Sequence, residues 1–346
     1  KALNTSNLDD PAIALPGDYF NTLLYTSNNS TLSVTGAGFQ PDFIWFKNRT
    51  NANRHALFDS VRGATKRIAS DKNEAEAADP DTLISFDSDG WSIGADTGQY
   101  GVNYTAGSSF VSWNWKAGGT ASSNGDGSIT SSVSANPTAG FSIVSYTSPG
   151  TSADGTVGHG LSQAPELVIV KNRDSAYNWD VWNTALSSGY DLILNTTAAQ
   201  TSGRWSTTIP TASLVSLKDT YEVNGTDKYI AYCFHSVEGY SKVGSYEGNA
   251  NADGTFVYTG FQVAYLLTKS IDGSYNWYQT DNKSTPINVR DNVLYPDLSV
   301  AHGSSWPWVD FLSNGFKLRT SSSGVNNNTF IYLAFAESPF KYSNAR

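Results

Sequence analysis

Residues 38–49 read Gly-Phe-Gln-Pro-Asp-Phe-Ile-Trp-Phe-Lys-Asn-Arg, and the stretch returns at 160–173 as Gly-Leu-Ser-Gln-Ala-Pro-Glu-Leu-Val-Ile-Val-Lys-Asn-Arg. A third, eroded copy, Gly-Phe-Gln-Val-Ala-Tyr-Leu-Leu-Thr-Lys, stands at 260–269. Each copy carries a lysine at or just before its end: Lys47, Lys171 and Lys269. A Val-Asn pair follows each lysine, at Val102-Asn103, Val223-Asn224 and Val325-Asn326, and an aromatic-rich run follows each pair, at 110–115, 229–234 and 330–335. Landmarks held in order and spacing identify one unit of roughly 100 residues used three times, the signature of an array that spans distance or presents surface.

The runs between the landmarks are β-like. Short segments rich in β-branched and aromatic residues, such as 39–47, 167–171, 229–234 and 330–335, sit between clusters of Gly, Asn, Asp and Ser. Alternation of apolar and polar residues at 141–146 and 309–312 suits a sheet with one buried face. Ser88-Asp89-Gly90, Asn124-Gly125-Asp126-Gly127, Ala252-Asp253-Gly254 and Ser313-Asn314-Gly315 supply the turns. The exception is 67–78, where Asp71-Lys72-Asn73-Glu74-Ala75-Glu76-Ala77-Ala78 is read as one or two surface helical turns. The fold class expected is all-β: three tandem homologous β-sandwich-like units. The expected divisions are an extended N-terminal arm (1–16), unit one (17–119), a Ser/Gly-rich linker (120–138), unit two (139–238) and unit three (239–346).

Of the 346 residues, 39% are hydrophobic and only 15% charged, so the surface is expected to be covered by Ser, Thr, Asn and Gly. A net charge of −9 argues against nucleic acid as a partner, because a polyanion is repelled. Cys233 is the sole cysteine, which leaves neither an intrachain disulfide nor a cysteine zinc site. No apolar run reaches the roughly 18–20 residues that span a bilayer, so no membrane insertion is expected. A chain that begins at Lys1 and contains no methionine is expected to follow initiator removal or trimming.

Further stretches carry a family likeness. The 38–49 block, then Leu57-Phe58-Asp59-Ser60-Val61-Arg62-Gly63-Ala64-Thr65-Lys66, Ser85-Phe86-Asp87-Ser88-Asp89-Gly90-Trp91-Ser92 and Phe110-Val111-Ser112-Trp113-Asn114-Trp115-Lys116-Ala117-Gly118-Gly119, are similar to a repeat domain of bacteriophage tail-fibre-like proteins, especially marine ones. The likeness continues through Val157-Gly158-His159-Gly160-Leu161, Tyr229-Ile230-Ala231-Tyr232-Cys233-Phe234 and Phe335-Ala336-Glu337-Ser338-Pro339-Phe340-Lys341-Tyr342, and so covers nearly all of 17–346. It implies a place on the virion surface, assembly as a homotrimer, and attachment to a host; it brings no catalytic residue.

Among the candidate site residues, the repeated lysines are read as strand-end side chains whose stems cover apolar surface and whose ammonium groups reach water. Asp87, Asp89 and Asp126 beside glycines are read as turn residues rather than calcium ligands, since calcium needs six to eight oxygens and no segment supplies an alternating acidic loop. His55, His159, His235 and His302 form no metal or nucleophile motif, so no catalytic residue, metal or cofactor is expected. Trp45, Trp113 and Trp115 belong to repeat strands and to the core, whereas Trp179, Trp182, Trp205, Trp277, Trp306 and Trp308 fall in or near the variable middles. Of these, Trp205, Trp306 and Trp308 are the ligand-binding candidates, because flat aromatic faces stack on sugar rings.

The functional expectation is a structural and adhesive virion protein, a tail fibre or related appendage. It would bind a host-surface polysaccharide or protein through arrayed weak contacts and other virion proteins through its N-terminal arm. The alternatives are a capsid decoration or head-fibre protein and a virion-mounted polysaccharide depolymerase, the latter needing paired carboxylates in a cleft.

Overall fold

The computed structural model describes residues 8–343 apart from Thr97, Gln99, Thr151, Ser152 and Ser304. In the first third, β1 (Phe20–Thr26), β3 (Phe43–Asn48), β4 (Ala56–Asp59) and β9 (Ser109–Trp115) form an antiparallel sheet in the order β1-β9-β3-β4. Beside it, β2 (Leu32–Thr35), β7 (Leu83–Asp87) and β8 (Gly90–Ile93) run β2-β8-β7, while β5 (Lys66–Arg67) pairs with β6 (Ala77–Ala78). The middle third contributes β10 (Ser122–Asn124), β11 (Ser131–Asn136), β12 (Phe141–Thr147), β14 (Leu167–Asn172), β15 (Trp179–Asn183), β16 (Tyr190–Ile193), β17 (Thr201–Ser202) and β19 (Lys228–Phe234). These eight are ordered β10-β11-β12-β19-β14-β15-β16-β17, and β13 (Gly155–Gly158) pairs with β18 (Leu214–Leu217) beside them. In the last third, β20 (Ser241–Glu247), β22 (Phe261–Ser270), β23 (Tyr278–Asp281) and β26 (Thr329–Pro339) run β20-β26-β22-β23, and β21 (Phe256–Tyr258), β24 (Val309–Leu312) and β25 (Gly315–Leu318) run β21-β25-β24. One order, opening strand, closing strand, lysine strand, next strand, therefore occurs in all three large sheets.

Up to their lysines β3 and β14 are apolar without a break, and β22 is buried along its whole length, because both faces of each strand are covered. Along β3, Phe43 and Trp45 point to a central core while Ile44 and Phe46 point outward to Leu83, Trp91 and Ile93 of the small sheet. Strand β14 divides in the same way, with Leu167 and Ile169 inward and Val168 and Val170 toward Val157 and Val215. In β22, Tyr265 and Leu267 face in and Leu266 faces Phe311 and Phe316.

The inner faces of the three large sheets meet one another in a single core. Phe43 lies 4.4 Å from Tyr232 between the first and second sheets, Phe20 4.8 Å from Phe335 between the first and third, and Phe234 6.2 Å from Phe335 between the second and third. Ring pairs at these separations add to the gain from burying their area. The sheets thus enclose a common interior instead of being strung out as an extended array, and each inner face depends on the other two for cover.

The Val-Asn pairs fix the ends of the opening strands. Tyr25, Tyr146 and Tyr246 donate hydroxyl hydrogen bonds to the carbonyls of Val102, Val223 and Val325 at 2.6, 2.6 and 2.8 Å. The same tyrosines stack on Phe110, Tyr229 and Phe330 at 5.1, 5.1 and 5.0 Å. The asparagine amides then tie down the neighbouring loops, Asn103 on Gly94 O, Asn224 on Ala153 O and Asn326 on Thr320 O.

Two sequence expectations are corrected. Residues 120–138, read as a linker, contain β10 and β11, which widen the second large sheet; their Ser/Thr content suits strands with one wet face as well as it suits a flexible connector. Residues 67–78 form no helix, because the carbonyls of Ala69, Lys72 and Asn73 accept hydrogen bonds from the second sheet instead of from their own chain four residues on. The described part of the N-terminal segment lies on this chain itself. Ile13 enters the central core, and Leu8 O and the Asp10 carboxylate take the Lys341 ammonium at 2.9 and 2.7 Å. Residues 1–7 of the expected arm lie outside the described residues.

Candidate functional site

Period-two alternation puts Lys47, Lys171 and Lys269 on the inner faces of their strands, so each ammonium is delivered to a seam between sheets. The expectation that they reach water is therefore overturned: all three are buried. Lys171 donates to Asn73 O of the first third at 3.3 Å, Lys269 to Thr197 O of the second at 3.2 Å, and Lys47 to Ser299 O of the last at 2.9 Å. Burial pushes Lys47 down to about 7, and Lys171 and Lys269 to about 8, against the opposing pull of Asp71, Asp180 and Asp297 respectively.

Two further contacts follow each lysine around the same seams. Trp179 Nε1 donates to Ala69 O at 2.8 Å, Trp277 Nε1 to Ile193 O at 2.9 Å, and His55 Nε2 to Tyr295 O at 2.9 Å. His55 must be the neutral Nε2-H tautomer, since its Nδ1 accepts from Trp45 Nε1 at 2.8 Å; burial keeps its pKa well below the usual value. The backbone closes the set, with Glu76 N on Arg173 O, Gln200 N on Ile271 O and His302 N on Arg49 O at 2.8, 2.9 and 3.0 Å. The second sheet grips the first, the third grips the second, and the first grips the third. An ion network reinforces one seam: Arg62 binds Asp59 and Glu76, and Glu76 binds Arg173. Burial alone would raise the Glu76 carboxyl, but Arg173 and Arg62 outweigh it and hold it below its usual range.

The tryptophan candidates separate. Trp205 and Trp308 are 1% and 0% exposed, each inside the layer between a large and a small sheet, so neither ring has a free face for a ligand. Trp306 is half-buried and stacks on Trp308 at 6.0 Å with its ring nearly parallel. The Gly-, Ser- and Pro-containing segment that carries Trp306 and Trp308 folds back over Tyr278, which both rings touch.

The acidic and imidazole groups are also committed to the fold. Asp89, in the turn between β7 and β8, accepts from Gly36 N and Gly38 N at 3.1 and 2.7 Å and so ties that turn to the loop after β2. His159 donates to or accepts from only backbone groups, at Thr211 O and Leu161 N. Among the described residues no group of three His, Cys, Asp or Glu side chains is arranged to hold a metal. Asp180 and Asp191 do pair, but both are buried and Arg204 spans them at 2.8 and 2.6 Å. Burial and then Asp191 push the Asp180 carboxyl well up, and burial raises Asp191 against the pull of Arg204. Enclosed in this way, the pair offers no carboxylate to a substrate.

Open to solvent, among other hollows, is a cleft of about 470 Å3 where β20, β21, the 339–341 segment and the N-terminal segment meet. This volume lies within the range of about 300–1,000 Å3 usual for small-ligand clefts. Its walls include Pro11, Glu238, Lys242, Tyr258, Gly260 and Lys341. Pro11 can form a wall because residue 239 is glycine; a Cβ there would lie 2.7 Å from the proline ring. Tyr258, 61% exposed, stands at the end of β21 with its ring close to Gly260. Its ladder partner is Gly315, just as Thr35 in β2 faces Gly90, and Gly158 closes β13 opposite Leu214. The corresponding positions are thus Thr35, Gly158 and Tyr258, and those two residues earlier are Ser33, Thr156 and Phe256. Tyr258 was not among the sequence candidates, although an aromatic stands where the matching strands hold the small residues Thr35 and Gly158.

The fold defines an all-β protein in which three antiparallel sheets enclose one core. By sequence the chain belongs to the family described as a domain of unknown function, DUF7483, which it matches over residues 15–339, from just before Pro16 to the end of β26. No curated protein and no solved structure matches the chain.

Proposed function

We propose that this chain is a structural and adhesive protein of a virion surface, a tail fibre or related appendage, that attaches to a bacterial surface glycan or protein. In this reading the three large sheets with their small partners are copies of one unit, spanning about 17–119, 139–238 and 239–346. The observation that carries it is the closed set of seam contacts, in which Lys171, Lys269 and Lys47 each enter the neighbouring third of the chain. Such closure makes a rigid body whose loops and clefts are free to vary, the division of labour expected of an attachment module. The virion setting rests on the likeness of 38–49, 57–66, 85–92 and 110–119 to tail-fibre-like repeats. Any further assembly, trimeric or otherwise, uses outer surfaces, because the inner faces are already occupied.

The test has two arms. Immunogold electron microscopy of particles should put the protein on a tail or tail-proximal appendage, and the purified protein should compete with particles for adsorption to host cells. Labelling confined to the capsid would convert the assignment to a decoration protein. Absence from particles, or no competition at saturating protein, would overturn attachment.

A further inference from the structure

We infer that the cleft beside Tyr258 is a binding subsite for an uncharged saccharide, with the Tyr258 ring as its stacking platform. The inference deepens the attachment reading and rests on it for the biological source of the sugar, but the chemistry stands on the cleft itself.

The first argument is the break in the recurring pattern. At the matching ladder positions the first third carries a small exposed residue, Thr35, and the second a buried Gly158 covered by Asn124, whereas the last third places a 61% exposed tyrosine there, preceded two residues earlier by the exposed Phe256. Exposing large aromatic area costs solubility and contributes nothing to a core, so its presence on a concave surface points to a ligand. Tyrosine supplies rigid contact area at low entropic cost, apolar on its face and polar at its tip, which matches the alternating C-H and hydroxyl surface of a pyranose.

The second argument is charge. Asp9 and Glu238 oppose Lys242 and Lys341 around the cleft, so its formal charge is balanced. The Lys341 ammonium is already engaged by Leu8 O and by the carboxylate of Asp10, whose pKa it lowers. What is left for a ligand is one lysine and two carboxylates on a chain of net charge −9, which disfavours uronate, sialate or phosphate groups. Glu238, exposed, and Lys242, half-buried, are instead suited to accept from and donate to sugar hydroxyls.

The third argument is preorganisation. The cleft floor is tied by Phe340 N to Gly260 O at 3.2 Å and by Ala336 N to Tyr240 O at 2.8 Å. The wall formed by residues 8–11 is anchored by Ile13 in the central core. Little has to be ordered when a ligand arrives.

The test is calorimetric titration of the purified chain with neutral gluco-, galacto- and manno-oligosaccharides and, separately, with oligomers of galacturonate and mannuronate. At least one neutral series should bind and the uronates should bind more weakly. Tyr258→Ala should weaken the neutral ligand by about tenfold or more, Tyr258→Phe should retain it, and Tyr221→Ala, which removes an exposed tyrosine elsewhere, should leave it unchanged. Thermal unfolding should be the same for all variants. Failure of every neutral series, tighter binding of uronates, or equal losses in Tyr258→Ala and Tyr221→Ala would overturn the subsite. The adsorption competition separates this outcome from the broader reading: if Tyr258→Ala competes as well as wild type, attachment stands and the subsite falls, whereas if wild type itself fails to compete, the titration still judges the cleft.

Discussion

The indole Nε1 of Trp179 donates to the carbonyl oxygen of Ala69 at 2.8 Å, which ties the second large sheet to the loop behind the first. Trp277 makes the same bond to Ile193, and His55, at the corresponding place in the first sheet, makes it to Tyr295. A closed cycle of this kind leaves no terminal sheet that can open without breaking two seams.

Unfolding should therefore be one cooperative transition. Residues 120–238 produced alone would expose Phe141, Ile143, Ile169, Ile230, Tyr232 and Phe234, an apolar face larger than a soluble monomer tolerates. The fragment is expected to aggregate or remain without fixed tertiary structure by near-ultraviolet circular dichroism. A monomeric fragment with a dispersed amide spectrum would show that the units are independent modules after all.

Trp179→Phe keeps the ring in the core but strands the carbonyls of Ala69 and Lys72. Loss of one buried partner costs about 1–3 kcal/mol, and Trp277→Phe should behave alike. Urea midpoints measure this; a shift below the error of the fit in both variants would mean that the seam bonds are incidental.

Trp308→Ala and Trp205→Ala each empty a large buried volume and should cost about 3–5 kcal/mol, well above the loss for half-buried Trp306→Ala. The expected order is visible in melting temperatures. Equal, small effects for Trp306 and Trp308 would restore the reading of both as surface contacts.

The seam lysines carry a pH dependence of definite sign. Lys47 titrates at about 7 and Lys171 and Lys269 at about 8 in the fold, against about 10.4 when unfolded. Their stabilisation is therefore full above about 10.4 and is lost as pH falls through about 8 and 7. Asp297 runs the other way, since burial lifts it to about 7 despite Lys269; its contribution is full below about 3.9 and lost as pH rises through 7. Urea unfolding across pH should show Lys171→Met with a flatter slope on the alkaline side only, and Asp297→Asn with a flatter slope on the acid side only. Identical profiles for both variants and wild type would refute the assignment.

Arg204→Ala would leave Asp180 and Asp191 buried without their cation. Breaking such a cluster costs about 3–5 kcal/mol, whereas Asp180→Asn, which replaces a carboxyl that burial favours in its neutral form, should cost much less. Comparable losses in the two variants would argue that Asp180 is ionised in the fold.

Much of the architecture is legible without coordinates, because it is local. A strand announces itself through β-branched and aromatic residues and a turn through Asp-Gly or Asn-Gly, so strands over 39–47, 167–171 and 229–234 and the turn at 88–90 could be read directly, and repetition of Lys47, Lys171 and Lys269 marked a recurring architectural need. What the need was could not be read. An unbroken apolar run says that both faces of a strand are covered but not by what, and whether a lysine at its end meets water or a carbonyl depends on residues a hundred positions away. The same holds for Trp306 and Trp308, whose loop composition suggested exposure until the fold laid them over Tyr278. Sequence by itself determined the all-β class, several strands and turns, and the recurrence of the lysine, Val-Asn and aromatic landmarks along the chain, since those follow from short-range propensity and period. Tertiary structure alone decided that the sheets close on one another, that the lysines become seam donors, and that Tyr258 stands exposed beside a cleft while Trp205 and Trp308 are buried, since burial is a property of the surfaces that meet and not of the residues that carry them.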